Sequence, residues 1–225
     1  MFLSRLTLRR TPDVTALAQV LNPSAEGRRL DAHHRLIWSV FAGDPDARRD
    51  FLWRDMGQGT FLVLSPREPG ESALFERPET NLFAPDLRAG DCLAFVLRAN
   101  ATRTVTEADG RKRHRDVVME ALTPLPQSAR ASARLELAQQ AGKRWMEGQG
   151  ARAGFRVAGA GVTAYRVAET LPRRSPGRSA GPRFGILDLE GTAEVTDPAA
   201  FLDKLARGFG RAKAFGCGLM LIRRA

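Results

Sequence analysis

Two of the three histidines in this 225-residue chain are adjacent, His33 and His34. Imidazole takes and gives a proton near neutral pH, so this pair is the first place to look for acid–base chemistry. Leu30, Leu36, Ile37, Val40 and Phe41 recur at helical spacing around them. Advancing about 100° per residue puts His33 within that apolar stripe and His34 at its margin. His33 is therefore expected in the core. His34 is the catalytic candidate, with Asp31 three residues earlier in place to orient its ring or raise its pKa. Spacing alone still favours a plainer alternative, because Asp–His pairs three apart commonly sit on solvated helix surfaces. His114 lies among Arg111, Lys112, Arg113 and Arg115 and reads as a bystander in a basic run, which suits a solvated hairpin tip as well as contact with RNA.

A second candidate site lies near the end of the chain. Residues 207–219 interleave Gly208, Gly210, Gly216 and Gly218 with Arg211, Lys213, Phe209 and Phe215. Glycine reaches positive φ without penalty and lets backbone N–H groups approach a phosphate, while Arg211 and Lys213 add the charge such a nest favours. The stretch reads as an anion-binding loop, with nucleic-acid backbone as the obvious polyanion; a glycine-rich turn with incidental charge is the alternative. It is not a P-loop, which needs Gly-Lys-Ser/Thr, nor a dinucleotide fingerprint, which would place a third glycine where Lys213 stands. Residues 207–210 match the first half of the RNP1 pattern, but Arg211, Ala212 and Ala214 replace the residues that would stack on bases, which points to phosphate contact instead.

No His, Cys, Asp and Glu cluster has metal-ligand spacing, no nucleophile motif is present, and no metal or other cofactor is expected. Cys92 and Cys217 form no disulfide framework and are expected as buried small hydrophobes. No run is long enough to span a membrane and the start lacks a signal-peptide pattern, so cytoplasmic residence is the default expectation.

The formal charge of +10 is unevenly placed. Residues 1–90 hold twelve basic and twelve acidic side chains, whereas residues 91–225 hold 23 basic and 13 acidic ones. That asymmetry favours a nucleic-acid face on a C-terminal domain, although arginine-rich coding bias would give the same count.

The elements that must position these residues follow in order. Phe2, Leu6 and Leu8 alternate with Arg5, Thr7 and Arg9, a half-buried strand. The histidine helix spans residues 30–41 and ends at Gly43-Asp44-Pro45, where Asp44 and Asp46 read as turn residues. Strands are expected at 51–54 and 60–64, followed by a polar, Pro-rich passage over 66–85. A domain boundary near residue 88 gives an N-terminal domain 1–88 and a C-terminal domain 89–225. The second domain opens with a strand at 92–100, which carries Arg98. A helix is then expected at 128–146, with strands at 155–157, 162–167, 184–189 and 192–195. Between them, residues 171–183 form a Pro-, Gly- and Arg-rich loop with Arg173, Arg174, Arg178 and Arg183. Asp197 as N-cap, Pro198 in the first turn, the Phe201, Leu202 and Leu205 stripe and Gly208 after the last turn define a helix, which the glycine stretch joins to a strand at 219–222. This order suits an α+β pair of ferredoxin-like (RRM-like) units with antiparallel sheets.

Several of these segments together resemble the CasE family of CRISPR-associated endoribonucleases, which process precursor CRISPR RNA in the type I-E Cascade system. The resemblance is carried by Met1-Phe2-Leu3-Ser4, by His34, Trp38 and Phe41, by the strand from Phe95 to Asn100, and most specifically by residues 208–219. It implies tandem ferredoxin-like domains that bind a repeat hairpin and cut at its 3′ base without metal, leaving a 2′,3′-cyclic phosphate. His34 takes the catalytic histidine position. Family members often carry tyrosine three residues earlier, where this chain has Asp31; a carboxylate cannot donate a proton as a phenol does, which leaves Asp31 to orient His34 or to stand idle. Ala101 follows Asn100 where related sequences tend to have proline. The implied partners are a CRISPR repeat RNA hairpin and other subunits of a Cascade-type complex, with no membrane. Arg173 and Arg174 would line a groove of the stem, residues 111–115 would track phosphates, and Arg98 with the glycine stretch would hold RNA backbone. The rival readings are a non-catalytic RNA-binding scaffold subunit of a CRISPR ribonucleoprotein and a basic DNA-binding module.

Overall fold

The computed structural model describes residues 1–42, 49–170 and 181–225. The turn at Asp44 and Asp46, and Arg173, Arg174 and Arg178, lie outside the described residues. The chain forms two compact units, the first made of Met1–Pro85, Ala168–Arg183 and Lys213–Gly216, the second of Asp86–Val167, Phe184–Ala212 and Cys217–Ala225.

In the first unit β1 (Phe2–Thr7) leads through two short helices, α1 (Pro12–Ala16) and α2 (Ala18–Leu21), into α3 (Glu26–Trp38), then β2 (Leu52–Gly57), β3 (Thr60–Ser65) and β4 (Glu79–Leu82). The sheet order is β2-β3-β1-β4, and each neighbouring pair is antiparallel. This is the ferredoxin-like order, in which β1 and β2 flank β3 and a helix links them. Leu6 of β1, Trp53 of β2, and Phe61 and Val63 of β3 meet Leu36, Ile37, Val40 and Phe41 from α3 and the turn after it. The helix starts four residues before its apolar stripe, because Glu26-Gly27-Arg28-Arg29 forms a polar first turn that periodicity cannot register. β4 lies inside the passage expected to be irregular. Its Glu79-Thr80-Asn81-Leu82 is mostly exposed and serves as an edge strand, so it carries no hydrophobic alternation. Among the described residues no helix links β3 to β4; Phe75, fully buried edge-on to Phe61, fills the core there.

The second unit repeats the strand order. Its elements are β5 (Cys92–Ala99), a hairpin of β6 (Thr102–Thr106) and β7 (Lys112–Asp116), α4 (Val117–Leu122), α5 (Arg130–Gly150), β8 (Phe155–Glu169), β9 (Arg183–Val195), α6 (Pro198–Arg207) and β10 (Met220–Arg224). The sheet order is β10-β5-β9-β8. Two strands that the sequence breaks at glycines run through them. A Cβ on Gly191 would stand 2.0 Å from the carbonyl oxygen of Gly159, so these glycines mark a close approach of backbones within the sheet and not turns. The basic run forms β7 itself, paired along its length with β6. Asp116 ends β7 and caps α4, its Oδ1 accepting from the N–H groups of Val118 and Met119 at 2.9 Å each. α6 has the expected ends: Asp197 Oδ1 accepts from Ala200 N–H at 3.1 Å, and Gly208 leaves the helix at φ +74°. Cys217 is buried as expected, but Cys92 is exposed at the start of β5.

The glycine stretch is fixed to β5 by backbone. Arg211 N–H donates to the Asn100 carbonyl at 3.2 Å, and Gly218 N–H to the Arg98 carbonyl at 2.7 Å. Gly210 has φ +68°, and a Cβ there would stand 2.5 Å from the Asn100 carbonyl oxygen. Gly210→Ala is therefore expected to cost at least about 2 kcal/mol, from left-handed strain and backbone overlap together. Gly110→Ala, at φ +77° with open space around it, should cost only about 1 kcal/mol. Urea unfolding followed by circular dichroism reads both, and equal losses would show that the close approach at Gly210 contributes nothing.

Candidate active site

The sequence separates the adjacent histidines and the structure places them accordingly. His33 is 4% exposed. Its Nε2 lies 3.2 Å from Asn22 Oδ1, its Nδ1 lies 3.4 Å from Asp55 Oδ2, and its ring meets Phe61 edge-on at 4.8 Å. It is a packing residue. His34 is half-buried between Trp38 and Phe51, with ring centroids 6.4 and 6.1 Å away. Its Nε2 is buried and makes no hydrogen bond among the described residues. An unpaired buried polar atom costs about 1–3 kcal/mol; His33 Nδ1 and Trp53 Nε1 share that state, and His34 differs from them in lying at the half-exposed rim.

The electrostatics favour neutral imidazole. Burial, first, pushes the His34 pKa below its ordinary 6.5; the positive charge of Arg49 lowers it further, Asp31 pulls it upward, and Arg35 lowers it. Asp31 is outweighed by burial and Arg49, and its charge is shared: Arg35 Nη2 lies 2.9 Å from Asp31 Oδ2, one helical turn away. Arg49 precedes β2, and no spacing or motif in the sequence singles it out. Its Nη1 donates to the Phe51 carbonyl at 2.6 Å, and burial lowers its own pKa. The only sequence hint is its place beside a strand rich in core aromatics. A neutral imidazole next to a partly desolvated guanidinium can accept a proton from a hydroxyl while the cation faces an anion.

The glycine stretch reaches the same unit. A 3₁₀ turn, Lys213–Phe215, packs on α3 and β2. Gly216 follows at φ +74°, with its missing Cβ 3.1 Å from the Trp53 ring. Lys213 is thereby held against the histidine helix. Elsewhere the stretch is less of an anion nest than its glycines suggest. The N–H groups of Gly208, Phe209, Arg211 and Gly218 donate to the carbonyls of Lys204, Gly218, Asn100 and Arg98; Arg211 keeps an exposed side chain.

The remaining basic candidates divide in two. Arg98 is held inside its sheet, Nε and Nη2 donating to the Asp188 carboxylate at 2.8 and 3.2 Å, with Arg166 on the same carboxylate at 3.0 Å. Arg111, Lys112, Arg113 and Arg115 are exposed on the β6–β7 hairpin; Arg113 and Arg115 share Glu107 at 2.8 and 3.4 Å, and Arg111 lies 3.6 Å from Asp109. Arg173 and Arg174 are outside the described residues. Among the described residues no three His, Cys, Asp or Glu side chains are grouped to hold a metal ion, and no helix is long and apolar enough to cross a membrane.

The depressed His34 pKa gives a measurable expectation. An NMR pH titration should place the His34 midpoint below 6.5, and Asp31→Asn should lower it further by removing the carboxylate that pulls it up. A midpoint above 6.5 in the unaltered protein would contradict this electrostatic picture.

Comparison with known proteins agrees along the whole chain. The sequence model described as CRISPR associated protein matches residues 1–224. The chain is 30% identical to the CRISPR-associated endoribonuclease Cse3 of Thermus thermophilus, over 90% of this chain and 96% of that protein. It is 26% identical to the CRISPR system Cascade subunit CasE of Escherichia coli strain K12, over 91% and 96%. The fold superposes on a solved structure of CRISPR endoribonuclease Cse3 bound to a 19-nucleotide RNA with a TM-score of 0.66 at 24% identity, covering 99% of this chain and 100% of that one.

Proposed function

The chain belongs to the family of CRISPR-associated proteins described by that sequence model, and from that premise we propose that it is an endoribonuclease of the CasE type. It binds the hairpin of a CRISPR repeat and cuts precursor CRISPR RNA at the 3′ base of the stem, in the cytoplasm and alongside other subunits of a Cascade-type complex. The observation that carries the reading is His34, a half-buried imidazole with an unpartnered buried nitrogen and a depressed pKa, on a chain whose relative of 30% identity is named an endoribonuclease.

In this mechanism His34 takes the proton of a ribose 2′-hydroxyl as the oxygen attacks the adjacent phosphorus in line. The P–O5′ bond breaks, the 5′-oxygen acquires a proton from water, and a 2′,3′-cyclic phosphate remains. One placed histidine contributes about 10²–10⁴-fold; the rest comes from fixing the in-line geometry and from cations around the phosphate. Asp31, tied to Arg35, biases the charge of His34 from outside the reaction. The first unit supplies the reacting helix. The second supplies the exposed cations of the β6–β7 hairpin, with Arg211 beyond them, and Arg173 and Arg174 contact a groove of the stem.

His34→Ala is expected to slow cleavage of a repeat hairpin in EDTA by at least about 10²-fold while leaving binding nearly unchanged. Unaltered cleavage by the variant would remove the assignment, and binding without cleavage by the unaltered protein would favour a scaffold subunit. RNA with a 2′-deoxy residue at the cut should bind and stay whole. Because the base must be unprotonated, kcat/KM should rise with pH through the depressed His34 pKa and level off by about pH 6.5; activity that instead falls across that window would make His34 the acid.

Replacing Lys112, Arg113 and Arg115 together with Ala should lower the slope of log binding constant against log salt by up to about 2–3, near 0.9 for each duplex phosphate that is no longer neutralised. An unchanged slope would remove the hairpin from the RNA interface.

A further inference from the structure

Arg49 is a half-buried cation without a carboxylate partner among the described residues. Asp50, its neighbour in sequence, is occupied instead by Arg67, which donates to it through Nε and Nη2 at 3.1 and 3.2 Å. Among the described residues Arg49 makes one hydrogen bond, from Nη1 to the Phe51 carbonyl, which fixes the guanidinium over the start of β2. The ring of that same Phe51 is one wall of the His34 pocket. A guanidinium carries five N–H donors in a planar fork that matches two phosphate oxygens, and it stays charged at any physiological pH. Burial of such a group is costly, and Asp50, the carboxylate whose charge reaches it, is shared with Arg67, so an anion supplied by a ligand is its natural complement.

We propose that Arg49 is a catalytic residue of the His34 centre, its fork binding the non-bridging oxygens of the scissile phosphate and holding the added negative charge of the phosphorane. The inference rests on reading the centre as a ribonuclease. As the O2′–P bond forms, the proton of the 2′-hydroxyl passes to His34 and the phosphorus group gains a full negative charge; as the P–O5′ bond breaks, that charge leaves with the 5′-oxygen, which takes a proton from water. Arg49 transfers nothing in either step. Its charge has a second effect, disfavouring imidazolium and so keeping His34 ready as a base. The charged groups that act on His34 are Asp31 and Arg35 on its own helix and Arg49 on the segment before β2; the Lys213–Phe215 turn also packs on α3. Arg35 is committed to Asp31, whereas Arg49 is fixed by its bond to the carbonyl of Phe51, the residue whose ring lies 6.1 Å from that of His34.

Three measurements on the full chain test this: single-turnover cleavage of a repeat hairpin in EDTA, binding of the uncleavable 2′-deoxy hairpin, and the NMR titration of His34. Arg49→Gln should slow cleavage by about 10²–10³-fold, as removal of one group that stabilises transition-state charge does. Binding should change far less, and the His34 midpoint and the acid limb of the rate profile should both move to higher pH. Arg49→Lys keeps the charge and loses the fork, so it should hold the midpoint near its original value and recover part of the rate. Cleavage by Arg49→Gln within about threefold of the unaltered protein, far below the loss a charge-stabilising group shows, would overturn the proposal. A slowed variant whose His34 midpoint does not move would also overturn it, by showing that Arg49 only anchors the chain at Phe51. If His34→Ala cleaves at full rate, the ribonuclease reading of this centre fails before Arg49 is reached.

Discussion

The packing of α3 on its sheet sets the rest of the first unit. Leu36 and Ile37 meet Leu6, Trp53 and Phe61 in one core cluster, and His33 enters the same interior between Asn22, Asp55 and Phe61. Once His33 is inside, the helix leaves no freedom for His34, which must emerge about 100° further round. It does so at the rim, between Trp38 and Phe51, neither fully wet nor fully dry. That intermediate position depresses its pKa without removing it from reach, so the setting of one histidine is a by-product of where its neighbour packs.

Much of this was legible because it rests on local rules. The apolar stripe distinguished His33 from His34, and Asp197, Pro198 and Gly208 marked both ends of α6. The fold class followed from element order, and two units share a strand order. What escaped has physical reasons. β4 is a short edge strand whose side chains face water, so no alternation was imposed on it. Gly159 and Gly191 look like turn residues in sequence, but they are required where two strands pass within van der Waals distance. Cys92 stands at the exposed start of β5, where side-chain type says little about burial. Arg49 was invisible because only folding brings its charge within reach of His34.

The glycine stretch shows how one set of residues can serve backbone geometry. Its glycines are there for backbone geometry, but four of its amides donate to carbonyls of the protein. It behaves as a splice that ties β5 to the end of α6 and then delivers Lys213–Phe215 to the histidine helix. The amides of Gly208, Phe209, Arg211 and Gly218 are thereby withdrawn from contact with an anion.

The membership of Lys213–Gly216 in the first unit has a consequence for biosynthesis. The cover over Trp53 is encoded well over a hundred residues after Trp53 itself, so the histidine helix and its sheet leave the ribosome long before their last packing partner. During that interval the indole is short of one of its neighbours. The packing of the first unit is therefore finished only after residues 213–216 are made, by which time the basic β6–β7 hairpin has already been synthesised.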